Sequence, residues 1–255
     1  YGWRGPCETT VTACAASTHA IGNAARLIAM GICDAVMSGG SEAAITPTGV
    51  AGFSNMTALS SAGISRPFDV ERDGFVIAEG AGVLVLEEME MALARGARIY
   101  GEVIGAASTA DAYHITAPSP DGSGAVRCME LALADAGVNT SEIGQINAHG
   151  TSTPLNDAAE AKAITKVFGN QAPPVVSTKG VTGHALGAAG ALEAAAVLLR
   201  FDGRLIPPTA GLVNLDPEIT IDVVRSAPRP WEPKPALSNS FGFGGHNGSL
   251  ILAPA

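Results

Sequence analysis

The sequence predicts an α/β protein assembled from two related halves, and two observations carry that prediction. Strand-like and helix-like runs alternate along most of the chain, an order that gives mainly parallel sheets covered by helices. In addition, VTACAASTHAIGNAARLIAMG and STKGVTGHALGAAGALEAAAVLL each set a polar residue between a strand and a helix of small residues. Cys14 and His184 therefore take comparable places in a duplicated fold. The halves are read as 1–97, carrying Cys14, and 98–255, complete and carrying His149 and His184. The first half is expected to lack its opening strands and helices. Tyr1 is followed by strand-like sequence with no leader and no natural start, so the chain is expected to be truncated upstream.

Local pattern supplies the elements in order. Thr10 to Ala13 reads as the end of a strand, Ala15 to Met30 as a helix closed by Gly31, and Ala35 to Ser38 as the next strand. From Gly74 to Glu87 the apolar run reads as two strands through a glycine kink, followed by a short helix to about Arg95. The second series has a strand from Arg98 to Ala107, a helix from Gly122 to Ala136, a strand from Gln145 to Ala148 and a helix from Asp157 to Phe168. It continues with a strand from Pro174 to Thr178 and an Ala-rich helix from about Leu186 to Phe201. Strands near Ile219 to Val224, Ala236 to Ser238 and Gly248 to Leu252 complete it.

Composition excludes several classes of function. With 47% hydrophobic and 15% charged residues, the 255-residue chain is of a folded, soluble kind. Its apolar runs are broken by Gly, Pro or charge before the roughly 18 residues of a membrane-spanning helix, so no membrane association is expected. A formal charge of −9 disfavours nucleic acid as a general partner. Cys7, Cys14, Cys33 and Cys128 lack CxxC spacing, and the chain is far larger than disulfide-stapled domains. Reduced thiols in a cytoplasmic setting are expected.

Three residues stand where α/β proteins do chemistry. Cys14 opens a helix, where unpaired backbone N–H groups and the helix dipole favour a thiolate nucleophile. His149 follows the buried-strand sequence QINA, at the carboxyl end of a strand. His184 lies among small residues that bring backbone close to a ligand. His19, mid-helix, and His114, in a loop, read as ordinary structural residues, as do Cys7, Cys33 and Cys128. In NSFGFGGHNGS the glycines allow a tight turn whose amides can face an oxygen, with a plain hairpin connection as the alternative. GFGG lacks GxGxxG spacing and precedes a strand, so a dinucleotide loop is not indicated. A zinc site of Cys14, His149 and His184 lacks the usual short ligand spacings, and no metal is expected there.

TAC before a small-residue helix, RPFDVERDGFVIAEGAGVLVLEE, the DAYH segment from Asp111 to His114, NAHGTSTPLND, STKGVTGHALGAAGALE and NSFGFGGHN together resemble the β-ketoacyl-acyl carrier protein synthases, especially the type II elongating kind. The resemblance runs through essentially the whole chain and implies a thiolase-like fold, two related halves in α-β-α-β-α layers. It implies that Cys14 carries the acyl group and that His149 and His184 assist decarboxylation of a malonyl group on acyl carrier protein. The product would be a β-ketoacyl carrier protein in fatty acid chain elongation. It further implies that Lys179 supports the charge balance near the first histidine, that Glu193 and Asp157 support the site, and that Thr151 and Thr153 hold the phosphopantetheine arm. Phe243, with Phe241 beside it, would gate the site, and the amides of Cys14 and Phe243 would form an oxyanion hole. No cofactor is implied beyond that carried arm. A structural monovalent cation at Asn147, Glu193, Ser238 and Asn239 belongs to the same pattern, as does a homodimer paired through the strand-like segment Cys7 to Ala13.

Two histidines point to the elongating class, since initiating synthases of this fold pair one histidine with asparagine and thiolases use a second cysteine. His246 departs from the pattern, standing where many members have Thr, and the loop from Ala58 to Arg66 is short relative to many relatives. A ketosynthase domain of a polyketide synthase and a noncatalytic carrier-binding fragment remain as alternative readings.

Overall fold

The structure is a computed structural model that describes residues 2–255. In chain order its elements are α1 (Ala16–Ala29), β1 (Ala35–Glu42), α2 (Pro47–Asn55), β2 (Gly80–Glu87), α3 (Met89–Ala94), β3 (Glu102–Ala110), α4 (Ser123–Ala136) and β4 (Gln145–Asn147). There follow α5 (Pro154–Phe168), β5 (Val175–Val176), α6 (Lys179–Thr182), α7 (Ala189–Gly203), β6 (Leu205–Ile206), β7 (Arg229–Pro230), β8 (Ala236–Gly242) and β9 (His246–Ala253). β1 and β2 form a two-stranded antiparallel sheet. A five-stranded sheet has the order β3-β9-β8-β4-β5, and β6 pairs with β7.

The larger sheet is buried on both faces, as the burial of every residue from Ala236 to Ser240 and from Asn247 to Ala253 requires. One face packs on α4 and α5 through Met129, Leu133, Ile146, Ile164, Leu237 and Ile251, and the other on α1 and α7 through Ile21, Val197, Leu250 and Leu252. Small residues set the spacing between α1 and α7. A Cβ at Gly190 would lie 2.0 Å from Thr18 Oγ1 and 2.9 Å from its amide nitrogen, so the helix pair admits no side chain there.

The duplication read from the sequence is visible in the backbone. α1 is entered through a 3-10 turn, Ala13–Ala15, and α7 through Leu186–Ala188. Each turn opens on a non-glycine residue with positive φ, 49° at Ala13 and 42° at Leu186. Each helix is also followed by an antiparallel pair, β1 with β2 and β8 with β9. The correspondence places Cys14 opposite Gly187, however, three residues beyond His184. The two chemical residues share a region of the repeat and not a position in it.

Several expectations need correction. Thr10 to Ala13 forms no strand: 6–12 is in neither strand nor helix and pairs with no strand among the described residues. The run from Gly74 holds one strand and not two, because Phe75 and Ile77 make only single bridges, to Leu59 and to His184. Ile219 to Val224 makes one bridge, Val223 to Val175, since the amide of Val223 turns back to the carbonyl of Ile221 at 3.0 Å. The sheet is mixed and not mainly parallel: β4 runs parallel to β5 and β8, whereas β9 runs antiparallel to β8 and β3. α2 went unread although Thr46 caps Gly49 and Pro47 opens it, both recognisable start signals. Boundaries also move: β1 runs on to Glu42, β3 covers Glu102–Ala110, α5 starts at Pro154, and α7 is confined to Ala189–Gly203.

Replacement Gly190→Ala should lower stability by about 1–3 kcal/mol, the usual scale for overpacking a close contact. Urea unfolding followed by far-ultraviolet circular dichroism checks this, and an unchanged midpoint would contradict the close approach of the two helices.

Candidate active site

Cys14 sits in the turn that opens α1 and is 7% exposed. Opposite it the β8–β9 hairpin turns through Gly244 (φ 85°) and Gly245 (φ 77°). Gly242 lets the hairpin reach the nucleophile, since a Cβ there would stand 2.8 Å from the Thr12 carbonyl and 3.1 Å from the Cys14 amide nitrogen. The amides of Phe243 and Cys14 both donate toward Sγ. The GFGG segment is thus a hairpin connection and an amide donor at once.

The electrostatics of Cys14 correct the expected thiolate. Burial pushes the thiol up to about 11, with Glu42 adding to the rise. The charge of Lys179 and the two amides oppose the shift without cancelling it. Helix-start amides lower a thiol only as far as the surrounding dielectric allows. Cys14 is therefore a protonated thiol at neutral pH.

His149 leaves the end of β4, where its amide donates to Glu160 Oε1 and the Gly150 amide to Glu160 Oε2, each at 2.8 Å. Gly150, at φ 40°, has no space for a Cβ beside Ser177. His184 is held by segment 76–78: its amide donates to the Val76 carbonyl at 2.8 Å, and its carbonyl accepts from Ala78 at 3.0 Å. The two imidazoles meet edge to face at 5.3 Å, with Phe75 against His184 at 5.2 Å and Phe241 against His149 at 5.8 Å.

Lys179, the first residue of α6, is 1% exposed, which rules out a solvated loop lysine. Its ammonium is paired with Glu193 from α7 and lies 3.3 Å from His149 Nδ1. An ammonium can only donate, so His149 Nδ1 accepts and Nε2 carries the proton. Burial, followed by Lys179, holds both histidines well below the usual 6.5, and His184 further depresses His149. Burial pushes Glu193 up against the pull of Lys179 and Arg200.

Cys14, His149, His184, Thr151, Thr153, Phe241 and Phe243 line one cavity of about 360 Å³. The hydroxyls of Thr151 and Thr153 lie 2.8 Å apart. Cys14 also borders a second cavity, about 570 Å³, between segment 8–11 and β1. Asp157 lines neither. Its buried carboxylate accepts the Phe68 amide at 2.8 Å and stands 3.7 Å from Arg72, anchoring the loop beneath the site. His19 bonds Thr12 and the Asn247 carbonyl, and exposed His114 accepts the amides of Thr116 and Ala117, so both are structural as read. Cys128 is buried against the Ala107 carbonyl, and all four thiols are free. The residue missed is Glu160. Burial pushes its carboxyl up to about 7 against the two amides it accepts. The signal was available: an acid on α5, three residues past Asp157, shares that helix's buried face.

Residues 1–92 match the family described as "Beta-ketoacyl synthase, N-terminal domain", and residues 100–213 match "Beta-ketoacyl synthase, C-terminal domain". The chain belongs to the β-ketoacyl synthase family and has its thiolase-like fold. Within it, the chain is 52% identical over 98% of its length to 3-oxoacyl-(acyl-carrier-protein) synthase 2 of Synechocystis sp., covering 62% of that protein. It is 49% identical to the Vibrio cholerae protein of the same name, over 98% of this chain and 63% of that one. Among solved structures, the ishigamide ketosynthase/chain length factor superposes with a TM-score of 0.94 at 41% identity, covering 98% of this chain and 61% of that one. A β-ketoacyl synthase from Burkholderia phymatum gives 0.92 at 40% identity, over 96% and 61%. The chain thus spans about three fifths of the length of these relatives.

Alkylation of Cys14 by iodoacetamide should keep accelerating from pH 7 past the ordinary thiol value of 9.0 toward about 11, at roughly tenfold per unit. Peptide mass spectrometry of the labelled residue measures it. A plateau below pH 8 would show a preformed thiolate and overturn the burial argument.

Proposed function

We propose that the protein condenses an acyl thioester with malonyl-acyl carrier protein, with loss of carbon dioxide, to give a β-ketoacyl carrier protein in fatty acid elongation. The observation that carries this reading is the convergence of Cys14, His149 and His184 on one cavity, with a buried ammonium behind the first histidine. The family membership and the names of the curated relatives support it. Those named 3-oxoacyl-(acyl-carrier-protein) synthase 2 are 47–52% identical to this chain, and the ketosynthase of a type II polyketide complex is 39% identical. Among solved structures the Burkholderia phymatum β-ketoacyl synthase, at 40%, stands level with that ketosynthase, so elongation is preferred on the names of the curated relatives and not on identity.

In the first half-reaction the Cys14 thiol loses its proton, sulfur bonds to the acyl carbonyl carbon, and the carrier thiol leaves with a proton. The amides of Cys14 and Phe243 receive the oxyanion. In the second, the malonyl C–C bond breaks, carbon dioxide leaves, and the electron pair passes to the thioester oxygen as an enolate. Neutral His149 and His184 donate hydrogen bonds to that oxygen, which an imidazolium would do only by risking proton transfer. The enolate carbon attacks the acyl carbon, and collapse expels the Cys14 thiolate, which takes up one proton from solvent to restore the thiol. The two cavities that meet at Cys14 suit this order, one for the acyl chain and one for the incoming carrier arm at Thr151 and Thr153. Burial, with Lys179 second, keeps both imidazoles unprotonated, Glu193, Glu160 and Asp157 hold the supports, and no cofactor takes part.

We read 1–97 and 98–255 as the two halves of the fold. Acyl carrier protein is the proposed partner, since a solved relative is described as a ketosynthase in complex with one. No helix among the described residues is long and apolar enough to cross a membrane; a cytoplasmic location is proposed on the likeness to the curated synthases.

Cys14→Ala should abolish acyl transfer and condensation while decarboxylation of malonyl carrier protein persists. His149→Ala or His184→Ala should depress decarboxylation by about a hundredfold or more, the scale for one oxyanion donor, with acylation better preserved. Single-turnover assays with radiolabelled malonyl carrier protein separate the steps, and equal loss of both in every variant would sink this division of labour. Unselective labelling of the four thiols by an acyl-chain mimic would favour the noncatalytic reading.

A homodimer is proposed on the exposure of segment 6–12, where Val11 is 80% exposed beside the nucleophile and no strand pairs with it among the described residues. Strand-like edges of this kind seek a two-fold mate. In the full-length protein, Thr10→Pro should weaken dimerisation and activity together. Sedimentation equilibrium checks it, and an active monomer at micromolar concentration contradicts it.

A further inference from the structure

Arg200 is a buried cation with no task in the reaction outlined above. It lies in the last turn of α7, is 6% exposed, and donates from Nη1 to Gln145 Oε1 at 3.1 Å and from Nη2 to Asn147 Oδ1 at 3.2 Å. Both acceptors are fully buried residues of β4, and Asn147 stands two residues before His149. Glu193, two turns earlier on the same helix, attracts the guanidinium, which burial lowers only to about 10 and so leaves charged at neutral pH. Arg200 therefore bears on both supports of His149: the strand end that presents it, and the carboxylate that holds Lys179 against its ring.

The monovalent cation implied by the resemblance does not fit this donor set. Four of its five side-chain oxygens already face protein donors, and Glu193 Oε2 is the one left without a partner. Asn147 Oδ1 accepts from Arg200, Ser238 Oγ from Asn147 Nδ2 at 3.4 Å, Asn239 Oδ1 from Ser249 at 2.8 Å, and Glu193 Oε1 from Lys179. A free ion needs several oxygens unshared at once, as hard cations do.

We propose that the Arg200 guanidinium is the built-in structural cation of this protein, a positioning residue that fixes Gln145 and Asn147, attracts the Glu193 carboxylate from a distance, and makes a bound monovalent ion unnecessary. A guanidinium suits the role because its planar donor array spans two amide oxygens that a point charge would hold without direction. The proposal rests on the functional reading only for its activity readout; the melting readout stands without it.

The experiment compares wild type, Arg200→Ala and Arg200→Lys in potassium chloride and in choline chloride at equal ionic strength, by melting temperature and by malonyl carrier decarboxylation. Wild type should be indifferent to the exchange in both. Arg200→Ala should melt lower, lose about tenfold in rate, and recover part of both in potassium or in low-millimolar guanidinium chloride, which enter the space left. Arg200→Lys should keep wild-type indifference to potassium, and it carries the test where Arg200→Ala does not fold. The proposal is overturned by a wild type that melts higher in potassium than in choline, by a potassium-dependent Arg200→Lys, or by a folded Arg200→Ala that is undamaged or beyond rescue by either cation. A wild type without decarboxylation refutes the functional reading instead, and the melting temperatures still decide the role of Arg200.

Discussion

The site depends on one buried ion pair, Lys179 with Glu193. Removing both charges from water costs several kcal/mol per ion, so the pair persists only where geometry and further hydrogen bonds offset that cost. Here the offset comes from the Lys179 contact with His149 Nδ1 and from Arg200 near Glu193. The ammonium acts on all three chemical residues: it pulls Cys14 down against burial and helps hold His149 and His184 unprotonated. It also sets the tautomer of His149. Without it the Cys14 thiol would be harder still to ionise and the tautomer of His149 would be unset.

Close backbone approach makes such convergence affordable in volume. Gly242 admits the hairpin to Cys14, Gly150 fits against Ser177 under His149, and Gly190 seats α7 on α1. Each contact joins elements far apart in the chain, so the Gly- and Ala-rich composition is a packing requirement as much as a helix preference. The positive φ at Ala13 and Leu186 costs of order 1 kcal/mol each, and the surrounding packing holds both. In the first copy the strained turn presents a thiol. In the second it presents Gly187, whose amide donates to Glu42 at 3.2 Å, and His184 comes from the loop before it.

Much of this was legible in the chain itself. Alternating strand and helix patterns fixed the class of fold, the repeated small-residue helices revealed the duplication, and the spacing of TAC, NAHGTSTP and GVTGHALG located Cys14, His149 and His184 without contacts. Those signals are local, because a turn before a helix or a polar residue after a buried strand is written in adjacent residues. What adjacency could not supply was pairing. Segment 10–13 has strand-like composition but no partner, Phe75 and Ile77 bridge instead of forming a ladder, and the sheet mixes parallel with antiparallel neighbours.

The same division holds for the electrostatics. Sequence by itself determined which groups can ionise, donate or attack, and the family resemblance added that Lys179 and Glu193 accompany the histidines. Only tertiary structure decided their states, since a shift in pKa reflects burial and neighbours that the linear order does not contain. That is why Cys14, placed at a helix start, is a thiol and not the expected thiolate, and why Glu160, though on the buried face of α5, and Arg200 gain their roles only from what they pack against. Their significance arises where α5 and α7 pack on β4, a juxtaposition made by the fold and absent from any single stretch of the chain.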